Sequence, residues 1–181
     1  MSVILDFDIT MQEGQLARTA LGLHEASARG DLDAVSGWLE SAVNVDDFSP
    51  AGWAPLHLAA FFGHIRAAEL LLNSGAQPNI RSRQPGTCDG CTPLHAAVIS
   101  GHSAVALLLI SAGAKVNDRD EAGYTPLHLA TSIGHLGLVK HLLMARCDIN
   151  PLTGDETPLG LAIRARHMEI AALLRQCGGS N

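Results

Sequence analysis

The chain has 181 residues, 47% of them hydrophobic and 4% aromatic, and its formal net charge is −6. An acidic chain has no overall basic field to attract phosphate backbones, so we expect no nucleic-acid partner. No apolar run approaches the roughly 18 residues of a membrane-spanning helix, and four scattered cysteines are too few for a secreted disulfide scaffold. We therefore expect an intracellular protein, cytoplasmic or nuclear, without a membrane-bound state.

The first 19 residues precede the regular part of the chain. Every second residue from Val3 to Ile9 is apolar, a weak pattern that predicts an extended arm lying on the first structural unit. A disordered tail is the alternative. Asp6 and Asp8 interrupt the apolar run and no basic segment precedes it, so no secretory signal peptide is expected.

A four-residue motif then recurs along the chain. Its copies are Ala54-Pro55-Leu56-His57, Thr92-Pro93-Leu94-His95, Thr125-Pro126-Leu127-His128 and Thr157-Pro158-Leu159-Gly160. Proline suits the first turn of a helix, where its missing N–H costs nothing, so each copy predicts the start of a helix. The prolines are 38, 33 and 32 residues apart, and self-similarity near 33 residues indicates a stacked helical solenoid.

A second landmark runs in phase with the motif. It consists of Gly30, Gly63, Gly101, Gly134 and Arg166, and it reveals a further unit upstream of the first motif. Between motif and landmark we predict a short helix, and after the landmark a second one, such as Ile65 to Leu72. Glycine just past a helix end, such as Gly75, stops that second helix. Because each helix pair buries its apolar faces only against its neighbours, several units are required.

This alignment gives the domain organisation. Residues 1–19 form the arm, 20–178 a single repeat domain, and 179–181 a tail. The interval of 38 residues locates an insertion at about 82–86, which is rich in turn formers and lengthens one connection between units. The units span about 17–48, 49–81, 87–119, 120–151 and 152–178.

The third and fourth units resemble the ankyrin repeat family. The resemblance rests on Gly90 to Ala97 with Gly101-His102, and on Gly123 to Ala130 with Gly134-His135. It implies an all-α, helix-turn-helix solenoid of about five repeats, with projecting hairpin turns and a concave ligand face. Some positions depart from the pattern, as expected for end units with one face in water. Gly160 replaces the motif histidine, Arg146 replaces a turn glycine, and the first unit lacks the motif proline.

The resemblance also implies where a ligand binds: at the residue before each motif and at the two residues before each landmark. Large apolar groups at exposed positions of this kind indicate a partner surface, because aromatic anchors dominate interface hot spots. The alternative is that Phe61 and Phe62 partly pack between units. The predicted partner-binding residues are Trp53, Phe61, Phe62, Cys91, Ile99, Tyr124 and Ile133.

We therefore predict a non-enzymatic protein–protein interaction module, an adaptor, inhibitor or assembly factor that binds a protein partner and is itself monomeric. No phosphate-binding loop, nucleophile elbow, metalloprotease motif or paired-carboxylate cleft is visible, and no cofactor is predicted.

Histidine is frequent, but its placement is periodic. Three of the nine histidines occupy the last motif position, and four follow the landmark. A metal or catalytic site needs side chains that converge, whereas repetition from unit to unit indicates a structural role. In similar repeats the motif histidine bonds backbone groups of neighbouring turns, and Asn79, Asn117 and Asn150, which share one repeat position, order the turn.

The pair Cys88-Asp89-Gly90-Cys91 is the one motif with chemistry of its own. C-x-x-C occurs in zinc sites and in redox pairs. A structural zinc site needs four ligands, and no second pair of comparable spacing exists. The alternative function is a metal- or redox-responsive regulator that uses these cysteines. The remaining interpretation is that both residues simply fill turn positions.

Overall fold

The computed structural model describes residues 20–41, 43–83 and 88–180. The predicted N-terminal arm and most of the predicted insertion lie outside these residues. Over the described residues the chain forms helices and no strand, apart from one isolated bridge between Thr153 and Glu156. The all-α prediction is confirmed. The helices are α1 (Ala20–Arg29), α2 (Leu32–Glu40), α3 (Pro55–Phe61), α4 (Ile65–Asn73), α5 (Pro93–Ile99), α6 (Ser103–Ser111), α7 (Pro126–Ser132), α8 (Leu136–Met144), α9 (Pro158–Arg164) and α10 (Met168–Gln176).

The helices form two layers. The first helix of each unit packs on the first helices of its neighbours, giving an inner layer of α1, α3, α5, α7 and α9. The second helices, α2, α4, α6, α8 and α10, form an outer layer in the same way. One continuous apolar core lies between the layers. The outer layer contributes a fully buried leucine from each of four successive units, at Leu71, Leu109, Leu142 and Leu174.

The motif histidine joins inner helices α3 and α5 to the next unit. Nδ1 of His57 accepts the backbone N–H of Ala54 at 3.2 Å, so the ring hydrogen is on Nε2. Nε2 then donates to the carbonyl oxygen of Cys91, 2.9 Å away and 34 residues further along. His95 repeats both bonds, with Thr92 N–H and with the Tyr124 carbonyl oxygen. The predicted structural role of these histidines is confirmed.

The landmark glycines are needed for two reasons. Gly30 has a φ of +68°, a region that side chains with a Cβ rarely adopt. A Cβ at Gly30 would also lie 2.5 Å from Nδ1 of His64, whose ring is held by a 2.9 Å bond between Nε2 and the Ala28 carbonyl oxygen. The same close approach joins Gly63 to His102, and Gly134 to His167. At these positions the landmark glycine of one unit therefore contacts the histidine that follows the landmark of the next unit.

The two arginines at glycine positions fit this explanation. Arg166 has a φ of +61°, and no histidine follows His167 in the part of the chain that the structure describes, so none faces Arg166 there from a later unit. Arg146, with a φ of +58°, stands at the turn position of Gly75 and Gly113. A Cβ at either of those glycines would meet nothing within 4 Å. At both arginines a side chain therefore carries only the conformational cost of a positive φ, without a clash against a facing ring.

We expect Gly30→Ala to lower the free energy of unfolding by about 2 kcal/mol or more, because it adds a positive-φ penalty to a clash with the His64 ring. Arg166→Ala is the matched control, since it keeps a Cβ at the same kind of backbone position without a facing ring. Its effect should stay within about 0.5 kcal/mol. Urea unfolding followed by circular dichroism measures both. Equal losses in the two variants would contradict the assigned contact.

Candidate partner-binding face

Four predicted site residues lie together at one end of the inner layer. Phe61 and Ile99 are the last residues of α3 and α5, and Phe62 and Ile133 cap α3 and α7. Because α3, α5 and α7 pack side by side, these residues occupy equivalent places on neighbouring helices. Phe61, Phe62 and Ile99 are half-buried against the core, and Ile133 is 44% exposed. We call Phe61, Phe62, Ile99 and Ile133 the inner stripe.

Trp53 and Cys91 are placed differently from the prediction. They are only 2% and 0% exposed, so the expectation that they present apolar surface is wrong. The Trp53 ring packs edge-on against the rings of His57, at 5.6 Å between centroids, and Phe61, at 5.4 Å. Cys91 forms a disulfide bond with Cys88, and its carbonyl oxygen accepts a hydrogen bond from Nε2 of His57. Trp53 supports the inner stripe through its ring contact with Phe61.

Phe61 and Phe62 are predicted either to present a partner surface or to pack between units. Both are half-buried, so each residue is partly packed and partly exposed. Their rings meet edge to face, with centroids 5.3 Å apart, and Phe61 continues the contact down to Trp53. This chain of rings fixes the aromatic surface on the core below it. Edge-to-face pairs stabilise such an arrangement beyond simple area burial. The stripe is therefore preorganised at its aromatic end.

Tyr124 is half-buried and sits before the third copy of the motif. Its ring packs edge-on against His128, with centroids 5.8 Å apart. Its backbone is held from both sides, because its N–H donates to Oδ1 of Asp120 at 2.7 Å and its carbonyl oxygen accepts from Nε2 of His95 at 3.2 Å. Tyr124 thus has a fixed position at the base of its connection.

The connections between units, which we call fingers, are tied to one another. Nη1 of Arg81 donates to the carbonyl oxygens of Gly90 and Arg119, at 3.1 and 2.8 Å. Arg119 repeats this one unit later, with Gly123 at 3.0 Å and Leu152 at 2.5 Å. Sequence reasoning missed these bonds, although the recurrence of arginine two residues after Asn79 and Asn117 is a visible signal.

The asparagines add a second set of ties. Nδ2 of Asn79 donates to the Gly113 carbonyl oxygen at 3.0 Å, and its Oδ1 accepts the N–H of Lys115 at 2.8 Å. Asn150 makes the same pair of bonds to Gly178 and Ser180. The predicted turn-ordering role of Asn79 and Asn150 is confirmed, and it acts between units.

The buried histidines are unsuited to acid–base work at neutral pH. Burial lowers the pKa of His57 from 6.5 to about 4, against the opposing effect of its bond to the Cys91 carbonyl oxygen. Burial likewise lowers the pKa of His95 and of His128. Among the residues that the structure describes, no three His, Cys, Asp or Glu side chains converge to hold a metal ion.

Helix pairs stacked in two layers, with fingers bonded from unit to unit, define a helical repeat protein. A family model described as ankyrin repeats (3 copies) matches residues 23–120 and again residues 117–181. The chain belongs to the ankyrin repeat family. Ankyrin repeats generally mediate protein–protein interactions and are typically not enzymes. Within the described ranges, no helix has both the length and the apolar character to cross a membrane.

Proposed function

We propose that this protein is a non-enzymatic adaptor, inhibitor or assembly factor that binds one protein partner on the inner stripe and the adjoining finger tips. The observation that carries the proposal is the apolar stripe itself, which continues across three successive inner helices. Solenoids present extended surfaces of this kind. An intracellular location and a monomeric state belong to the same proposal.

The bonded fingers support a mechanism of rigid display. Arg81, Arg119 and Asn79 fix each finger to the next one before any partner arrives. Binding therefore orders few additional groups, and preorganisation of this kind improves affinity by reducing the entropic cost of association. The aromatic rings at Phe61 and Phe62 supply anchors of the type that carries most binding energy at interfaces.

Two exposed residues give a matched test of this face. Ile133, on the inner stripe, is 44% exposed, and Leu107, on outer helix α6, is 43% exposed. We expect Ile133→Asp to weaken partner binding at least tenfold, because a charge would be desolvated in an apolar interface. Leu107→Asp should leave binding unchanged. Partners are first identified by affinity purification and mass spectrometry with all three proteins, and affinities are then measured by calorimetry.

Comparable melting temperatures of the two variants establish that both are folded. The proposal is supported if the wild type and Leu107→Asp capture proteins that Ile133→Asp fails to capture. Capture of the same set by all three proteins would place the binding surface elsewhere.

A further inference from the structure

The finger between α4 and α5 contains a disulfide bond that rigid display does not require. It joins Cys88 to Cys91, whose Cα atoms are 5.3 Å apart, within the usual range for disulfides. Cys91 is fully buried and Cys88 is 6% exposed. The other two cysteines, Cys147 and Cys177, are free thiols.

Ser82 forms hydrogen bonds with both cysteines of the disulfide, across the finger. Its hydroxyl donates to the Cys88 carbonyl oxygen at 2.5 Å and accepts the N–H of Cys91 at 3.1 Å. Its backbone N–H donates to the Cys91 carbonyl oxygen at 2.8 Å. The chain entering the finger and the chain leaving it are therefore held together at the position of the disulfide.

The same turn makes contacts with units on both sides. Towards the second unit, the Cys91 carbonyl oxygen accepts from Nε2 of His57. Towards the fourth unit, the Asp89 carbonyl oxygen accepts the N–H of Glu121 at 3.0 Å. A change in the turn therefore reaches both neighbours. Cys91 also stands at the repeat position that Trp53 and Tyr124 occupy, directly before Thr92, the N-cap of α5, and α5 ends at Ile99 of the inner stripe.

We propose that Cys88 and Cys91 are a reversible redox pair that sets how firmly this finger is held to its neighbours and thereby regulates the inner stripe. Intracellular disulfides are typically transient and redox-sensing. The regulatory part and the intracellular setting rest on the proposed function, whereas the effect of reducing the disulfide on the finger does not.

The exchange partner is a low-molecular-weight thiol such as glutathione. Its thiolate attacks Sγ of Cys88, the more exposed sulfur, and the bond to Cys91 breaks. Cys91 leaves as a thiolate and takes up a proton. A second small thiolate then attacks the mixed disulfide and releases Cys88, which is protonated in turn. One protein disulfide becomes two thiols as two small thiols become one small disulfide, a transfer of two electrons.

Reduction removes a covalent restraint from the segment that carries the contacts to both neighbours. Local opening of this segment should become more frequent, because a disulfide restricts the conformations open to the chain it closes. The backbone N–H groups of Cys91 and Glu121 report this opening directly, since each is bonded within or to the turn.

The test uses the full chain and no partner. The protein is equilibrated in glutathione mixtures of increasing oxidised fraction, the free thiols are blocked with a maleimide, and bound labels are counted by mass spectrometry. We expect Cys88 and Cys91 to lose both labels together as the oxidised fraction rises. Cys147→Ser is the control, and it should leave this transition unchanged.

Hydrogen exchange of the oxidised and reduced wild type then measures the consequence. We expect peptides with the amides of Cys91 and Glu121 to exchange at least about tenfold faster after reduction, and those from α10 to be unaffected. Because the wild type is reduced chemically, this test needs no substitution of Cys88 or Cys91 and does not depend on whether such a variant folds. Labels on both Cys88 and Cys91 at every glutathione ratio, or on neither at any ratio, would overturn the proposal, as would identical exchange in both states. Neither thiol labelling nor hydrogen exchange depends on a partner. A failure of the redox proposal can therefore be distinguished from a failure of the proposed partner binding.

Discussion

Trp53→Ala is expected to lower the free energy of unfolding by about 3–5 kcal/mol, the usual range for a buried aromatic truncated to alanine. The indole is 2% exposed and lies between the rings of His57 and Phe61. Its removal leaves a cavity where the second unit meets its own finger. Urea unfolding followed by circular dichroism measures the loss.

The matched comparison is Ile133→Ala, which truncates an apolar residue of the inner stripe that is 44% exposed. Its effect on unfolding should stay below about 1 kcal/mol, because little buried area is lost. A loss for Trp53→Ala as small as that for Ile133→Ala would show that the indole is not part of the core. The expected size of the loss also makes Trp53 unsuitable as a probe of binding.

The repeat architecture could be predicted from the sequence because its determinants are local and repeated. Proline sets the first turn of four inner helices, α3, α5, α7 and α9, and glycine supplies a positive φ between the two helices of four units. α3, for example, begins at Pro55, the motif proline, and α4 begins at Ile65, where the second helix was predicted. Each signal occurs in several units, so an irregular copy such as Gly160 does not obscure the pattern.

The burial of Trp53 and Cys91 could not be predicted in this way. Repeat phase fixes the position of a residue within its unit, but the depth of its side chain depends on what packs over it. Tyr124 shares the position and is half-buried, Trp53 is enclosed by rings of its own unit, and Cys91 is held by Cys88. One position therefore has three environments, set by neighbours that vary from unit to unit.

The recurrence of glycine and histidine near the landmarks is visible in the sequence, but the contact between units that explains it is visible only in the structure. Landmark glycines and the histidines that follow later landmarks recur together, because the histidine ring of one unit covers the glycine of the previous unit at Gly30, Gly63 and Gly134. From the sequence alone, the two residues read as separate features of one turn. The loss of glycine at Arg166, in the last unit, is the exception that this contact predicts.

The stack is expected to lose stability as the pH falls from about 6.5 towards 4. His57 has its pKa lowered by burial from 6.5 to about 4, so between these values the unfolded chain binds a proton that the folded chain does not. Its stabilising contribution is complete above pH 6.5 and is lost as the pH falls through that window. For His57 alone the loss at pH 4 is about 3 kcal/mol. His95 and His128 act in the same direction, because burial lowers their pKa values too.

The contacts of His57 explain why protonation is opposed. Nδ1, the site that would take the proton, already accepts the N–H of Ala54, so a proton there would set two donors against each other. His57→Gln separates this effect from other titrations. The variant should be less stable than the wild type at pH 7.5, because its amide cannot reproduce both ring bonds, yet its stability should fall less steeply between pH 6.5 and 4. Urea unfolding across this range measures both slopes. Carboxylates that titrate in the same range are common to the two proteins and cancel in the difference, so parallel slopes would contradict the assignment to His57.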